Sequence, residues 1–403
     1  MNFGAIIEYD AVGNTESTTD RFGNESSATY LPFSRIKTSV GSNDETTIFE
    51  YDDSGRRDKI TDPLNQETNL TYDDAGRLET STNALLEKVT QSYDDAGNRN
   101  GLQNGRLKDY IFEYTSNNLL ENLKTPLTHT FNYTYDDRLL LDVATEPSFQ
   151  TVTHHYYDDG LLEQTIDATG TIDFDYDAKG RLETVTEGSN TLIRGYDDLD
   201  RVTSFTDSAG NVIGYKHDGG NNLTKLTYPA SKGHVDYEYD NAGRLEKVID
   251  WANRETEFFY DVNSRLERIT YPNGTQREFF YDAAGRVERQ TDTLIADGSI
   301  LLDQQYKFDA LGRIREEVVL PEPATYSITP TVMTYDNDDR INSWQSGAVN
   351  MIPVFDDDGN MTTGPLESVS TTYIYDSRNR LEQAGTSIYS YDAEGRRMSK
   401  TEG

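Results

Sequence analysis

Five histidines, 71 acidic side chains and no cysteine are the raw material for chemistry in this chain of 403 residues. The histidines are His129, His154, His155, His217 and His234, and none of them shows zinc-ligand spacing. His154 and His155 are adjacent, so on a strand they point to opposite faces. Asp356-Asp357-Asp358-Gly359-Asn360 has the carboxylate density of a calcium loop. It lacks the alternating ligand positions and the closing Glu that such a loop needs, so a plain turn is the favoured reading. Carboxylate pairs for glycoside hydrolysis could be drawn anywhere in so acidic a chain, and no motif selects one. Six Asn-x-Ser/Thr sequons, at Asn24, Asn69, Asn132, Asn222, Asn273 and Asn360, are near the number that composition alone provides. No catalytic, cofactor-binding or metal-ligating residue is therefore assigned, no cofactor is expected, and the chain does not read as an enzyme.

Composition narrows the partners. The formal net charge is -34, which repels phosphate backbones and anionic lipid, so nucleic-acid binding is not expected. No apolar run approaches the roughly 20 residues of a spanning helix, so no membrane insertion is expected either. The start, Met1-Asn2-Phe3-Gly4, lacks a basic region followed by an apolar stretch, so it is not read as a signal peptide. Export would then use another route or a parent sequence. A mean hydropathy of -0.75 invites comparison with disordered chains. The 27 Tyr and 15 Phe argue against disorder, because they recur at regular intervals.

The interval is the organising fact. Tyr-Asp occurs fourteen times, at 9, 51, 72, 93, 135, 157, 176, 196, 239, 260, 281, 335, 375 and 391. From 51 to 135 the step is 21, with Tyr114-Thr115 as a degenerate member, and Tyr30 halves the gap from 9 to 51. Phe308-Asp309, Phe355-Asp356 and His217-Asp218 fill further slots. Residues 1–403 thus read as a single array of about eighteen units. Two steps, 281 to 308 and 308 to 335, are stretched to 27. The first carries the apolar insert Leu294 to Leu302 and the second carries Pro321-Glu322-Pro323. Both are expected to be lengthened hairpins or loops, on a rim or a binding face.

Each unit predicts two strands. In Tyr72-Asp73-Asp74-Ala75-Gly76-Arg77-Leu78-Glu79 the Asp can accept a backbone N–H and the Gly supplies a left-handed turn residue. A second turn signal follows about ten residues later, as in Gly55 then Asn65, or Gly243 then Asn253. The runs between are rich in Thr, Val, Ile, Tyr and Phe, as strands prefer. One pattern conflicts: Leu182/Val185, Leu245/Val248 and Leu266/Ile269 are three apart. Either these residues face opposite ways or a bulge sits beside the turn. Across repeats, the Tyr rings are expected to form a ladder, and the Arg after the turn Gly to meet the Asp of the neighbouring turn.

The motif Tyr-Asp-x-x-Gly-Arg-Leu at steps near 21 resembles the RHS/YD-repeat family over almost the whole chain. The family includes bacterial Rhs and wall-associated toxins, insecticidal toxin complex B and C components, and teneurins. The resemblance implies hairpins joined into a spiralling sheet that forms a hollow shell. In toxins the shell encloses a C-terminal effector; in teneurins it supports adhesion. Toxin members continue into a self-cleaving core with Asp-Pro-x-Gly, whereas the Asp-Pro here, Asp62-Pro63, is followed by Leu64-Asn65 inside an early repeat. No core self-cleavage or effector domain is expected.

The fold class expected is all-β: a continuous antiparallel β-hairpin array curling into a spiral or hollow shell. About 36 strands at about 4.8 Å each would make a sheet about 170 Å wide, and open sheets beyond about ten strands curl or split. The edge runs expected at Phe3 to Glu8 and Ser387 to Tyr391 contain no Pro, Lys or Arg to blunt pairing. Three roles follow as expectations. The first is a non-catalytic scaffold or encapsulating shell segment of an exported or cell-surface protein, with an enclosed polypeptide as partner. The second is an adhesion module binding a surface glycan or a protein. The third is a filament subunit joining neighbouring copies through edge strands.

Overall fold

The computed structural model describes residues 5–229, 232–321, 331–336, 340–366, 369–376, 378–392 and 394–402. Among these, regular structure is β throughout: 39 strands, and a single three-residue 3-10 turn at Pro32–Ser34. Thirty strands, from Ile6–Tyr9 to Ile314–Leu320, belong to one sheet, followed by sheets of three and six strands. Pairing is antiparallel between chain neighbours, as in Glu67–Tyr72 with Leu78–Thr82 and Leu245–Ile249 with Glu255–Tyr260. The meander follows from a turn every ten residues, which leaves room for a strand of about six residues and nothing longer.

By contacts the chain divides into two compact units. The first comprises Met1–Lys88, Lys216–Leu226 and Gly233–Tyr326; the second comprises Val89–Tyr215, Thr227–Lys232 and Ser327–Gly403. Among the described residues the second unit holds a cluster of buried aliphatics, Ile172, Val185 and Leu192, with Phe174, Leu182 and Phe205 packed against it. In the first unit Val235 is a buried aliphatic side chain. Most other side chains are half-buried, as befits strands stabilised chiefly by their cross-strand neighbours.

The three-residue spacing resolves into a bulge. Phe174 pairs Val185 and Asp175 pairs Thr184, but Tyr176 pairs Leu182, leaving Glu183 without an opposite number. One extra residue restores parity, so Leu182 and Val185 share a face. The same shift occurs at Tyr72, Tyr239, Tyr260 and Tyr281, always beside the turn.

Both long repeats can be placed in part. The apolar insert is a lengthened hairpin, Val287–Leu294 with Ile300–Phe308, tied to the preceding turn where the Ile295 N–H donates to the Gly274 carbonyl at 2.9 Å. Pro321 ends the described part of the second insert, and Glu322-Pro323 lie outside the described residues. The expected edge at Ser387 to Tyr391 is corrected: Ser387–Tyr391 is paired with a further strand, Arg397–Thr401, because Asp392 to Arg396 makes one more turn. That last strand carries Arg397 and Lys400. At the other end, Phe3 and Gly4 lie outside the described residues, and Ile6–Tyr9 pairs Thr15–Thr19.

Candidate functional site

The repeat motif itself is the site with the most organised chemistry. At Tyr72 to Leu78, Asp73 donates its N–H to the Arg77 carbonyl and Gly76 donates its N–H to the Asp73 carbonyl, both at 2.9 Å. Gly76 is left-handed, with φ of 82°. Asp73 Oδ1 accepts the Arg77 N–H at 2.8 Å and Oδ2 accepts Arg77 Nε at 2.7 Å. The fork of an arginine fits a carboxylate in this way, and a lysine would not. The same clasp joins Asp240 with Arg244, Asp261 with Arg265 and Asp376 with Arg380. The Arg was expected to reach the neighbouring turn's Asp; instead it pairs with its own, because the four-residue separation across a closed turn is shorter. Arg181 does both, clasping Asp177 and also meeting Asp200 of the next turn at 2.6 Å.

The Tyr was expected to stack in a ladder, and that too is corrected. Its hydroxyl donates to a backbone carbonyl about 15 residues earlier, on the strand after the preceding turn. Tyr72 bonds Arg57, Tyr135 bonds Leu120, Tyr260 bonds Leu245 and Tyr281 bonds Leu266, at 2.6–2.8 Å. Its ring is covered by the preceding Arg: Arg56 over Tyr72 at 4.8 Å, Arg244 over Tyr260 at 4.5 Å and Arg265 over Tyr281 at 4.4 Å. Each of these rings thus has a guanidinium over its face, an attraction worth about 0.5–1 kcal/mol when exposed.

These bonds hold the turn carboxyls ionised. Asp73 lies below the ordinary carboxylate range through its bonds from the Arg77 N–H and side chain. Asp240 does so through the Arg244 side chain first and then its N–H. One assignment shifts: the repeat Tyr near 157 is Tyr156, whose hydroxyl bonds Leu141 at 2.9 Å, while Tyr157 takes the Asp slot and opens the turn. Tyr156 keeps the 21-residue step from Tyr135; the Tyr157-Asp158 dipeptide hid it.

The chemistry-bearing residues singled out from sequence are dispersed. His154 bonds the Thr165 hydroxyl at 3.2 Å, and burial lowers its pKa. His234 stands 3.0 Å from Asp236, which also pairs Lys225. His129 lies 3.8 Å from Asp357. In the Asp356 turn, Asp356 clasps Asn360, while Asp358 accepts the Ser148 N–H at 3.1 Å and its hydroxyl at 2.6 Å. Among the described residues no group of His, Cys, Asp and Glu has metal-holding geometry.

Contacts between turns far apart in the chain were illegible in the sequence. In the first unit, Asn263 accepts the Arg21 N–H at 3.1 Å and donates to Asp20 at 2.8 Å, and Arg286 pairs Glu45 at 3.3 Å. In the second, Arg378 reaches Asp167 at 2.6 Å and Glu187 at 2.5 Å, Asn379 donates to Glu146 at 3.0 Å, and Arg194 pairs Glu394. Each unit therefore brings together its own turns some 190–240 residues apart. In the first unit a groove of about 400 Å³ is lined by Phe280, Arg289, Gln305, Tyr306 and Lys307.

A family model for the RHS repeat matches residues 196–232, and one for the teneurin YD-shell matches residues 225–291. Together the two models place repeats of the RHS/YD type over residues 196–291. Solved structures agree on the fold of the array. The Tc holotoxin pore of Photorhabdus luminescens aligns with a TM-score of 0.69 at 13% identity, over 98% of this chain and 26% of that one. The TcdB2-TccC3-Cdc42 structure aligns at 0.68 and 14%, over 98% and 27%. TcdB2-TccC3 alone aligns at 0.68 and 14%, over 98% and 28%. This chain thus spans about a quarter of the length of those chains. No curated protein matches its sequence. No helix among the described residues is long and apolar enough to cross a membrane.

Proposed function

We propose that residues 1–403 form one RHS/YD array of about eighteen units. It serves as a non-catalytic wall segment of an exported or cell-surface protein, curved around or beside another polypeptide. The observation that carries this reading is where the motif's functional groups go. Tyr hydroxyl, Asp carboxylate and Arg guanidinium, the groups most able to act on a substrate, are all bonded to the same or the adjacent repeat. The neighbours' names, which couple TcdB2 with TccC3, support association with other polypeptides. Electron microscopy of the purified chain tests the proposal. A curved wall one sheet thick is expected; a solid particle with no concave face would overturn it.

The groove over Phe280 and Tyr306 favours a second reading, a binding module for a surface glycan, since an exposed ring, Phe280, and a half-buried one, Tyr306, flanked by planar polar groups suit sugar faces. A glycan array repeated with Phe280→Ala and Tyr306→Ala separates the two. Loss of a specific signal in both variants supports the module, and no signal from the native chain excludes it.

A further inference from the structure

The two repeats that run from Tyr156 to Tyr176 and from Tyr176 to Tyr196 are one residue short, with steps of 20 where 21 is the rule. Their second turns are correspondingly tight. Asp167 pairs Gly170 across two residues, and Glu187 pairs Asn190 across two. The hairpins on either side close with five residues, between Thr145 and Thr151 and between Thr206 and Val212. Register puts Asp167 and Glu187 on the face that carries the buried Ile172, Val185 and Leu192. Ile172 lies opposite both Thr165 and Glu187, and Asp167 is two residues beyond Thr165. We propose that the two acids are a seat for one guanidinium, and that Arg378 in this seat anchors the C-terminal sheet, Val354 to Thr401, on that face.

Among the described residues no ladder joins that sheet to the thirty-stranded one; the side chains of its turns do. Arg378 donates through Nε to Asp167 Oδ2 at 2.6 Å, through Nη2 to Oδ1 at 3.4 Å and through Nη1 to Glu187 Oε1 at 2.5 Å. A planar fork serves two carboxylates in this way, whereas the ammonium of a lysine is a point charge. The seat is held independently of the arginine. Asp167 accepts the Thr169 N–H at 2.8 Å and its hydroxyl at 2.6 Å, both from the tight turn itself. Its side chain is 1% exposed and that of Arg378 is 13% exposed. The repeat motif has no use for Arg378, since the clasp of its own turn joins Asp376 with Arg380. A second tie falls on the same face. Arg194, two residues beyond Leu192 and opposite Phe205, pairs Glu394, and Arg396 covers the Phe205 ring at 4.9 Å. The bond from Asn379 to Glu146, by contrast, is exposed. Removing Arg378 would leave Asp167 buried without its cation, and a buried charge stripped of its partner is more disruptive than the loss of an exposed pair.

Hydrogen exchange of the whole chain tests the seat. Arg378→Ala should lower protection several-fold in 171–175, 183–186 and 371–375, while the 67–82 hairpin of the first unit stays as it was. Arg378→Lys should lose nearly as much, because an ammonium does not bridge both acids as the fork does. In R378A, ethylguanidinium at millimolar concentration should restore protection, and ethylammonium at the same ionic strength should not. A glycine inserted between Ala168 and Thr169 restores the step of 21. It should open the same strands although Arg378, Asp167 and Glu187 all remain. Should R378A not fold, R378K and the insertion carry the comparison. Native-like protection in R378A, in R378K or in the insertion variant would overturn the proposal. So would equal rescue of R378A by both cations, or rescue by neither.

Discussion

Within one repeat, the ordering of side-chain importance is set by how many neighbours each one satisfies. Tyr72→Phe removes a single bond, from the hydroxyl to the Arg57 carbonyl, and should cost about 0.5–1.5 kcal/mol. Asp73→Ala removes the acceptor of both the Arg77 N–H and Nε and frees the guanidinium, so it should cost more than Tyr72→Phe. Denaturant melts of the two variants check the order. Gly76→Val is a backbone test. A Cβ there meets only Arg56 Nη1 at 3.5 Å, so crowding is slight and the left-handed φ is the whole cost, about 1–2 kcal/mol. The protein tolerates that cost elsewhere: Leu139 holds the same turn position at φ of 67°, and Thr128 holds a second-turn position at 69°. Local hydrogen exchange around the 72–78 hairpin is expected to accelerate while remote hairpins stay unchanged.

At the level of the hairpin, parity is the controlling variable. Glu183 is the extra residue of the bulge, and with it Leu182 and Val185 share a face although they are three apart. Deleting it would leave them two apart, still on one face, with Val185 still opposite Phe174, so Val185 should stay buried and the Ile172–Leu192 cluster closed. The loss should therefore fall below that of Leu192→Ala, about 2–5 kcal/mol. Thermal melting of both variants makes the comparison. This element also shows what sequence can reveal. The Leu–Val spacing announced a bulge but left its alternative open, because spacing records parity and not pairing. The turn Gly and Asp were legible, since each acts within five residues. The Tyr hydroxyl's partner was not, because a backbone carbonyl leaves no mark on residue type.

Over the whole molecule, the same clasp repeated many times becomes a collective property. Asp73, Asp136, Asp177, Asp197 and Asp240 are all lowered, chiefly by bonds from the residue that closes their turn. A depressed carboxyl stabilises above its unfolded pKa, about 3.9, and loses that contribution as pH falls through the folded value. These groups are solvent-facing, so each effect is small and screened. Added together, they should give a steep loss of β signal below about pH 4, read by circular dichroism. Broadening the fall across pH 7 to 4 would contradict it. The links between turns some 200 residues apart had no sequence signal at all: Arg378 and Asn379 sit in an ordinary turn, and only the folded unit brings Asp167 and Glu146 to them.

The bond from each Tyr hydroxyl to a carbonyl about 15 residues earlier has a direction. A hairpin emerging from the ribosome is left with an unclaimed carbonyl and an Arg without its ring until the next Tyr arrives. Each unit is thus completed by its successor, and every completed unit is the template for the one being synthesised. Growth of the hairpin array would follow the order of translation, with a single unfinished hairpin at the advancing front, and the links between turns some 200 residues apart would close only afterwards. A break in the motif would halt that front at the break and leave everything made before it in place.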